Sequence, residues 1–269
     1  MLAHSRQDIP TSRQRHAEAW ASAWKLIDAQ LSPLGLRAIE ALKLSSGDVV
    51  LDIGCGAGQT LLQLSERIGP SGRVIGVDIA AQLLEIAKQR TAHLSRVMLI
   101  EADAQTLNLP TASADAVFSR FGVMAFADPV EAFTNFRRVL KPRGSLAFSC
   151  WRSLEENELD RFPLTAAGLK AEADETPFSF ADPKHLHRTL EAAGFSDITI
   201  RAHDENVSSG DLNAMTSVLL EVGALGKIVR ENPALRSAAE PRLREALGAL
   251  GDASHVKLLA SVWIVSATA

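Results

Sequence analysis

The chain has 269 residues, 46% of them apolar and 22% charged, with a formal net charge of −4. That makeup suits one large α/β domain with embellishments and excludes long disorder, collagen and low-complexity fibres. There is no global positive field to gather phosphate backbones, so nucleic acid is a poor partner.

Cys55 and Cys150 stand in unrelated contexts, which argues against a disulfide scaffold, a zinc cluster or a CxxC pair. No metal site is expected. Residues 1–16 are polar with three arginines and no apolar core, and no run long enough to span a membrane occurs. A soluble cytoplasmic protein is the expectation. Tyrosine is absent, which removes any phenolic acid or base from the chemistry.

Residues 1–15 read as a mobile segment. The spacing of Trp20, Trp24, Ile27 and Leu31, then Leu34, Ile39 and Leu42, predicts two helices separated near Ser32-Pro33. Together they make an N-terminal helical segment, 1–44. A buried strand follows at 49–53, closed by glycines, then a helix through Leu61, Leu64 and Ile68 that stops at Gly69-Pro70. Strand 73–78, helix 80–91, strand 96–101 and strand 114–120 come next. Asp128-Pro129 and Asp182-Pro183 each supply an N-cap and a preset first helical turn. Lys141 to Gly144 turns the chain into strand 145–150, strand 197–202 follows the second of those helices, and a last strand lies at 258–265. Strands separated by helices imply crossover connections and a doubly wound parallel sheet. The core is therefore expected at 45–203 and 256–269, with helical insertions at 151–181 and 204–255.

Asp52-Ile53-Gly54-Cys55-Gly56-Ala57-Gly58-Gln59-Thr60 forms a strand, a glycine turn and a helix start. The glycines fall at 54, 56 and 58, whereas the dinucleotide fingerprint needs its third at 59. A diphosphate beside the Asp52 carboxylate is also disfavoured, while a ligand with an ammonium and a sulfonium is attracted. S-adenosylmethionine is such a ligand. Asp78 ends the next strand, where a carboxylate can accept from ribose hydroxyls, with Ile79 placed to pack on adenine. Asp103 follows the third strand; its side chain is suited to the adenine amine and the Ala104 N–H to a ring nitrogen.

DIGCGAGQT, VIGVDIA, EADAQTLNLP and DAVFSRFGVMAFADP with FRRVLKPRGSLAFSCW resemble, in that order, the class I S-adenosylmethionine-dependent methyltransferases. The likeness is to the branch similar to ubiquinone- and menaquinone-biosynthesis enzymes and their secondary-metabolism relatives. It covers residues 16–202 and the last strand. The resemblance implies a Rossmann-like seven-stranded sheet with its last strand antiparallel, S-adenosylmethionine as methyl donor and S-adenosylhomocysteine as product. It further implies that Asp52 and Gly54, Cys55, Gly56 and Gly58 serve the methionine portion, Asp78 and Ile79 the nucleoside, and Asp103 with Ala104 the adenine. Ser119, Arg120 and Phe121 match positions facing the methyl group, and Trp24 a tryptophan close to the cofactor.

Methyl transfer from a sulfonium is an in-line displacement governed by positioning and desolvation. Both insertions leave the carboxyl end of the sheet, so with the N-terminal helices they are expected to form a lid and acceptor pocket. Trp151, Phe162, Leu164, Phe178, Phe180, Met215, Leu219 and Leu220 suggest a small hydrophobic or aromatic acceptor, or simply helix packing. His16, His203 and His255 are the candidate bases. The insertion at 204–255 carries eight acids against five bases, which disfavours a nucleic-acid acceptor. A nicotinamide oxidoreductase and a non-catalytic cofactor-sensing protein remain as alternatives, and a homodimer is left open.

Overall fold

The structure is a computed structural model that describes residues 11–169 and 173–269. Seven strands form one sheet in the order β3-β2-β1-β4-β5-β7-β6. They are β1 (Val49–Ile53), β2 (Arg73–Asp78), β3 (Val97–Glu101), β4 (Ala114–Arg120), β5 (Leu140–Trp151), β6 (Ser196–Val207) and β7 (Leu258–Thr268). The strands from β3 through β5 pair in parallel, and β7 lies antiparallel between β5 and β6. The expected doubly wound sheet with a reversed last strand is therefore observed.

The crossover helices are α2 (Gln59–Ile68), α3 (Ala81–Thr91) and α4 (Pro129–Val139). Each buries one apolar stripe against the sheet, such as Ala132, Phe133, Phe136 and Val139 of α4. Asp128 caps α4 by accepting from the Glu131 N–H, with Pro129 in its first turn, as the sequence predicts. Val50, Leu51, Phe118, Ala147 and Phe148 are sealed in the middle of the sheet.

The N-terminal segment differs from its expectation. One helix, α1 (Ser12–Ala41), runs through Pro33 without a break. Thr11 and Gln14 form a reciprocal capping box, so residues 12–15 are helical rather than mobile. The expectation for residues 1–10 lies outside the described residues. Proline costs the helix one hydrogen bond, but Leu31, Leu34, Ala38 and Ile39 are buried on both sides of it and hold the axis together.

Two further boundaries move. β5 begins at Leu140, directly after α4, and takes in the expected turn through a register shift between Ala114 and Ala116 of its partner. β6 continues to Val207 against β7, so the insertion spans 208–257. It folds as α7 (Leu212–Glu221), α8 (Gly223–Glu231) and α9 (Arg236–Gly248). The earlier insertion holds α5 (Glu158–Ala167), after which α6 (Pro183–Ala192) leads into β6. Among the described residues no single helix is long and apolar enough to cross a membrane.

Candidate functional site

The loop after β1 is shaped by backbone more than by side chains. Gly54 and Cys55 donate their N–H groups to the Val77 carbonyl at 2.8 and 3.1 Å, which ties the loop to β2. Gly54 has φ +69°, and a Cβ there would lie 2.8 Å from the Gly122 Cα, so the β4 side approaches as closely as glycine allows. A Cβ on Gly56, with φ +52°, would meet nothing within 4 Å. The loop therefore faces an open cradle at Gly56, the kind of space a ligand backbone contact needs.

Asp78 holds that cradle. One carboxylate oxygen accepts from the Gly56 N–H at 2.8 Å and the other from the Ala80 N–H at 2.9 Å. Each oxygen retains a second lone pair, so a vicinal diol remains within its chemistry. Burial raises its pKa, opposed by these backbone donors. Ile79 beside it is 49% exposed, an apolar side chain on the crevice lip that the protein leaves uncovered. Asp103 is exposed and accepts from the Gln105 N–H at 2.9 Å, with Ala104 buried next to it. Asp78, Ile79 and Asp103 thus stand along the tips of β2 and β3, and this arrangement fits an adenosine.

Other candidates are placed differently. Asp52 is fully buried and receives the Thr60 hydroxyl at 2.5 Å, while its Oδ1 has no partner. Its side chain ties the end of β1 to the start of α2 through Thr60. Desolvation pushes its pKa up to about 7, against the Thr60 hydrogen bond and the charge of Arg120. Ser119 is also sealed: it donates to the Ile53 carbonyl at 2.8 Å and accepts from the Gly122 N–H at 3.0 Å. It fastens β4 to β1, which accounts for a serine there without ligand contact. The Cys55 thiol is buried near the position a Gly76 Cβ would take, and burial raises its pKa, so it is a space-filling group.

Arg120 is engaged by side chains of α1 and α2. It donates to Gln59 Oε1 and, at 3.2 Å, to Asp28 of α1. Arg90 of α3 binds the other Asp28 oxygen at 2.8 Å and the Ala57 carbonyl at 2.7 Å. Its guanidinium also lies 4.2 Å over the Trp24 ring. This buried carboxylate with two arginines clamps α1 onto the glycine loop. Asp28, Arg90 and Gln59 carry no local motif that marks them as partners. Asp28 stands one turn beyond Trp24, but nothing in the sequence names its partners.

Between the ends of β4 and β5 and the helices lies a cavity of about 290 Å³. Phe121, with φ +61°, stacks on Trp151 at 4.1 Å between ring centroids and forms its floor. Trp20, Leu31, Met124, Phe178 and Leu219 add apolar wall. Of the acceptor-pocket candidates, Trp151, Phe178 and Leu219 line it. Phe180, Met215 and Leu220 are core residues, and Phe162 and Leu164 pack against the core. The cavity also holds Asp160 of α5, a buried carboxylate that accepts from the Ala224 N–H at 2.8 Å. Burial raises its pKa.

Only one of the candidate bases reaches this cavity. His16 lies against Trp20, 5.5 Å between ring centroids. His203 is on the edge strand β6 near Glu205, and His255 is exposed before β7. Crowding by neighbouring atoms, then the charges of Arg230 and Lys227, lower the His16 pKa to about 4, although the ring keeps a solvent-facing side. The unfolded chain therefore binds a proton there below pH 6.5 that the folded chain refuses until about pH 4. Stability is expected to fall across that window as pH drops, and to fall less in His16→Gln; melting curves at stepped pH check this. An unchanged acid limb in the variant would remove His16 from the crowded site.

A methyltransferase-domain family model matches residues 50–144. Malonyl-(acyl-carrier protein) O-methyltransferase of Marinomonas sp. is 32% identical over 177 residues, 66% of this chain and 60% of that protein. Demethylmenaquinone methyltransferase of Staphylococcus saprophyticus is 27% identical over 188 residues, 64% of this chain and 81% of that protein. The solved structure of SpnF, described as a 4+2 cyclase, covers 96% of this chain and 97% of its own at a TM-score of 0.60 and 22% identity, a likeness of fold. The glycine loop, the acids on the strand tips and the reversed last strand accompany that match, and over residues 50–144 the chain is similar to methyltransferase domains. Both of these curated relatives are named as methyltransferases.

Proposed function

We propose that the protein transfers a methyl group from S-adenosylmethionine to a small hydrophobic or aromatic acceptor held in the 290 Å³ cavity. One observation carries this reading. The aromatic pair Phe121–Trp151 sits at the end of β4 and β5 and lines the cavity, and Gly122, the residue after Phe121, lies against Gly54 of the glycine loop. The bound cofactor supplies an activated methyl group. The protein's own part is orientation and exclusion of water. Asp78 and Asp103 hold the nucleoside, Gly56 leaves room for the methionine backbone, and the aromatic floor keeps water from the line of attack. Of the cavity's carboxylates and imidazole, Asp174 is tied up by Lys227, which leaves Asp160 and neutral His16 to accept a proton from an acceptor that must lose one. The insertion helices and α1 serve as its lid.

Incubation with labelled S-adenosylmethionine and host-cell extract, followed by identification of the labelled small molecule, tests the reading. Label found only in protein or nucleic acid would overturn it.

Asp52 adds a proton signature. With its pKa near 7, the carboxyl is partly protonated at neutral pH. A cationic ligand settling nearby favours the carboxylate, so binding should release a fraction of a proton and tighten as pH rises through 7. Calorimetry in buffers of different ionisation enthalpy should show that release, and Asp52→Asn should abolish it.

A further inference from the structure

The cavity has a polar end that the cofactor crevice does not use. α8 presents Ala224, Lys227 and Arg230 to it at three-residue intervals, along one helix face. The acidic groups at this end are already engaged. Asp174 accepts from Lys227 Nζ at 2.6 Å, and Asp160 accepts from the Ala224 N–H at 2.8 Å. The Glu221 carboxylate is taken by Arg236 at 2.7 Å, which leaves Arg230 the Glu221 backbone carbonyl. Glu231 lies 3.9 Å from Lys227 Nζ, and the charges of Glu221 and then Glu231 act on Arg230 without a hydrogen bond from either carboxylate, against the charge of Arg15. Among the described residues, no hydrogen bond joins Arg230 to a carboxylate.

A half-buried guanidinium without an anionic hydrogen-bond partner is costly, because withdrawal from water is repaid only by a well-placed negative group. Its fork of donors suits two oxygens of one oxyanion. The same cavity is also lined by apolar and aromatic side chains, among them Trp20, Met124 and Phe178. Burial first, and then the charges of Arg230 and Lys227, hold the His16 pKa down at the same end of the cavity.

We propose that Arg230 is the acceptor's anchor: the molecule to be methylated is ring-sized and apolar, and it carries an oxyanion that Arg230 grips while its body lies on the Phe121–Trp151 floor. This rests on the acceptor-pocket reading above and gives it a charge. Lys227 is already held by Asp174 and does not make the main contact.

The test compares 2-naphthoate with 2-naphthamide, which share size and shape and differ in charge. Each is titrated by calorimetry into the full chain in the presence of S-adenosylhomocysteine. Naphthoate should bind about tenfold more tightly than naphthamide, as a charge-assisted pair would give. In Arg230→Gln that preference should collapse to near equality, with naphthamide and S-adenosylhomocysteine affinities unchanged. Arg230→Lys, which keeps the charge but loses the fork, should retain part of it and carries the test if the glutamine variant fails to fold. Equal affinities in the unaltered protein, a preference that survives in Arg230→Gln, or no binding of either compound at millimolar concentration would overturn the proposal. A naphthoate preference found without any binding of S-adenosylhomocysteine would support the anion site while sinking the methyltransferase reading.

Discussion

Asp28→Ala should lower stability by about 3–5 kcal/mol, the usual cost of removing one partner from a buried charge cluster. The Asp28, Arg120 and Arg90 side chains are 9%, 10% and 19% exposed, so two guanidinium groups would be left facing each other out of reach of full solvation. In a domain of this size that loss corresponds to a drop in Tm of roughly 6–20 °C. Thermal and urea unfolding both measure it. A loss under about 1 kcal/mol would show the cluster to behave as a surface ion pair, and the clamp between α1 and the glycine loop would have to be abandoned. Asp28→Asn should be milder, because the amide oxygen can still accept from one arginine.

Asp78→Ala should weaken S-adenosylmethionine binding by about 1.5–3 kcal/mol, through loss of charge-assisted hydrogen bonds to the ribose. Calorimetry decides it, and an unchanged dissociation constant removes the ribose assignment. The sequence alone suggests that stability would hardly change. The structure alters that expectation, because Asp78 also accepts the Gly56 and Ala80 N–H groups. The variant should therefore melt several degrees lower as well. Comparison with Asp78→Asn, which keeps one acceptor oxygen, separates loop support from ligand contact.

Much of the fold could be read from local chemistry. Asp128-Pro129 and Asp182-Pro183 announce helix starts because a capping carboxylate and a preset φ act within four residues. The three glycines at 54, 56 and 58 announce a tight turn for the same reason, and each has a positive φ. What stayed hidden depends on contacts between distant segments. Pro33 looks like a break, yet burial of Leu31 and Leu34 against the sheet keeps α1 whole. Ser119 looks like a ligand contact until the Ile53 carbonyl is found 2.8 Å away. Arg120 occupies a family position, but its partners Gln59 and Asp28 come from two other elements. Arg230 gave no signal at all. Its meaning depends on Arg236 having claimed Glu221, a competition that no spacing rule encodes.

Because α1 is unbroken, a single rod walls two compartments. Asp28 fixes it over the glycine loop, while Trp20, Ile27 and Leu31 of the same helix line the cavity. Widening one chamber by tilting the rod must drag the latch of the other. Adaptation to a bulkier guest is thus confined to trimming side chains along the rod or remodelling the roof opposite, since the helix axis itself is not free to drift.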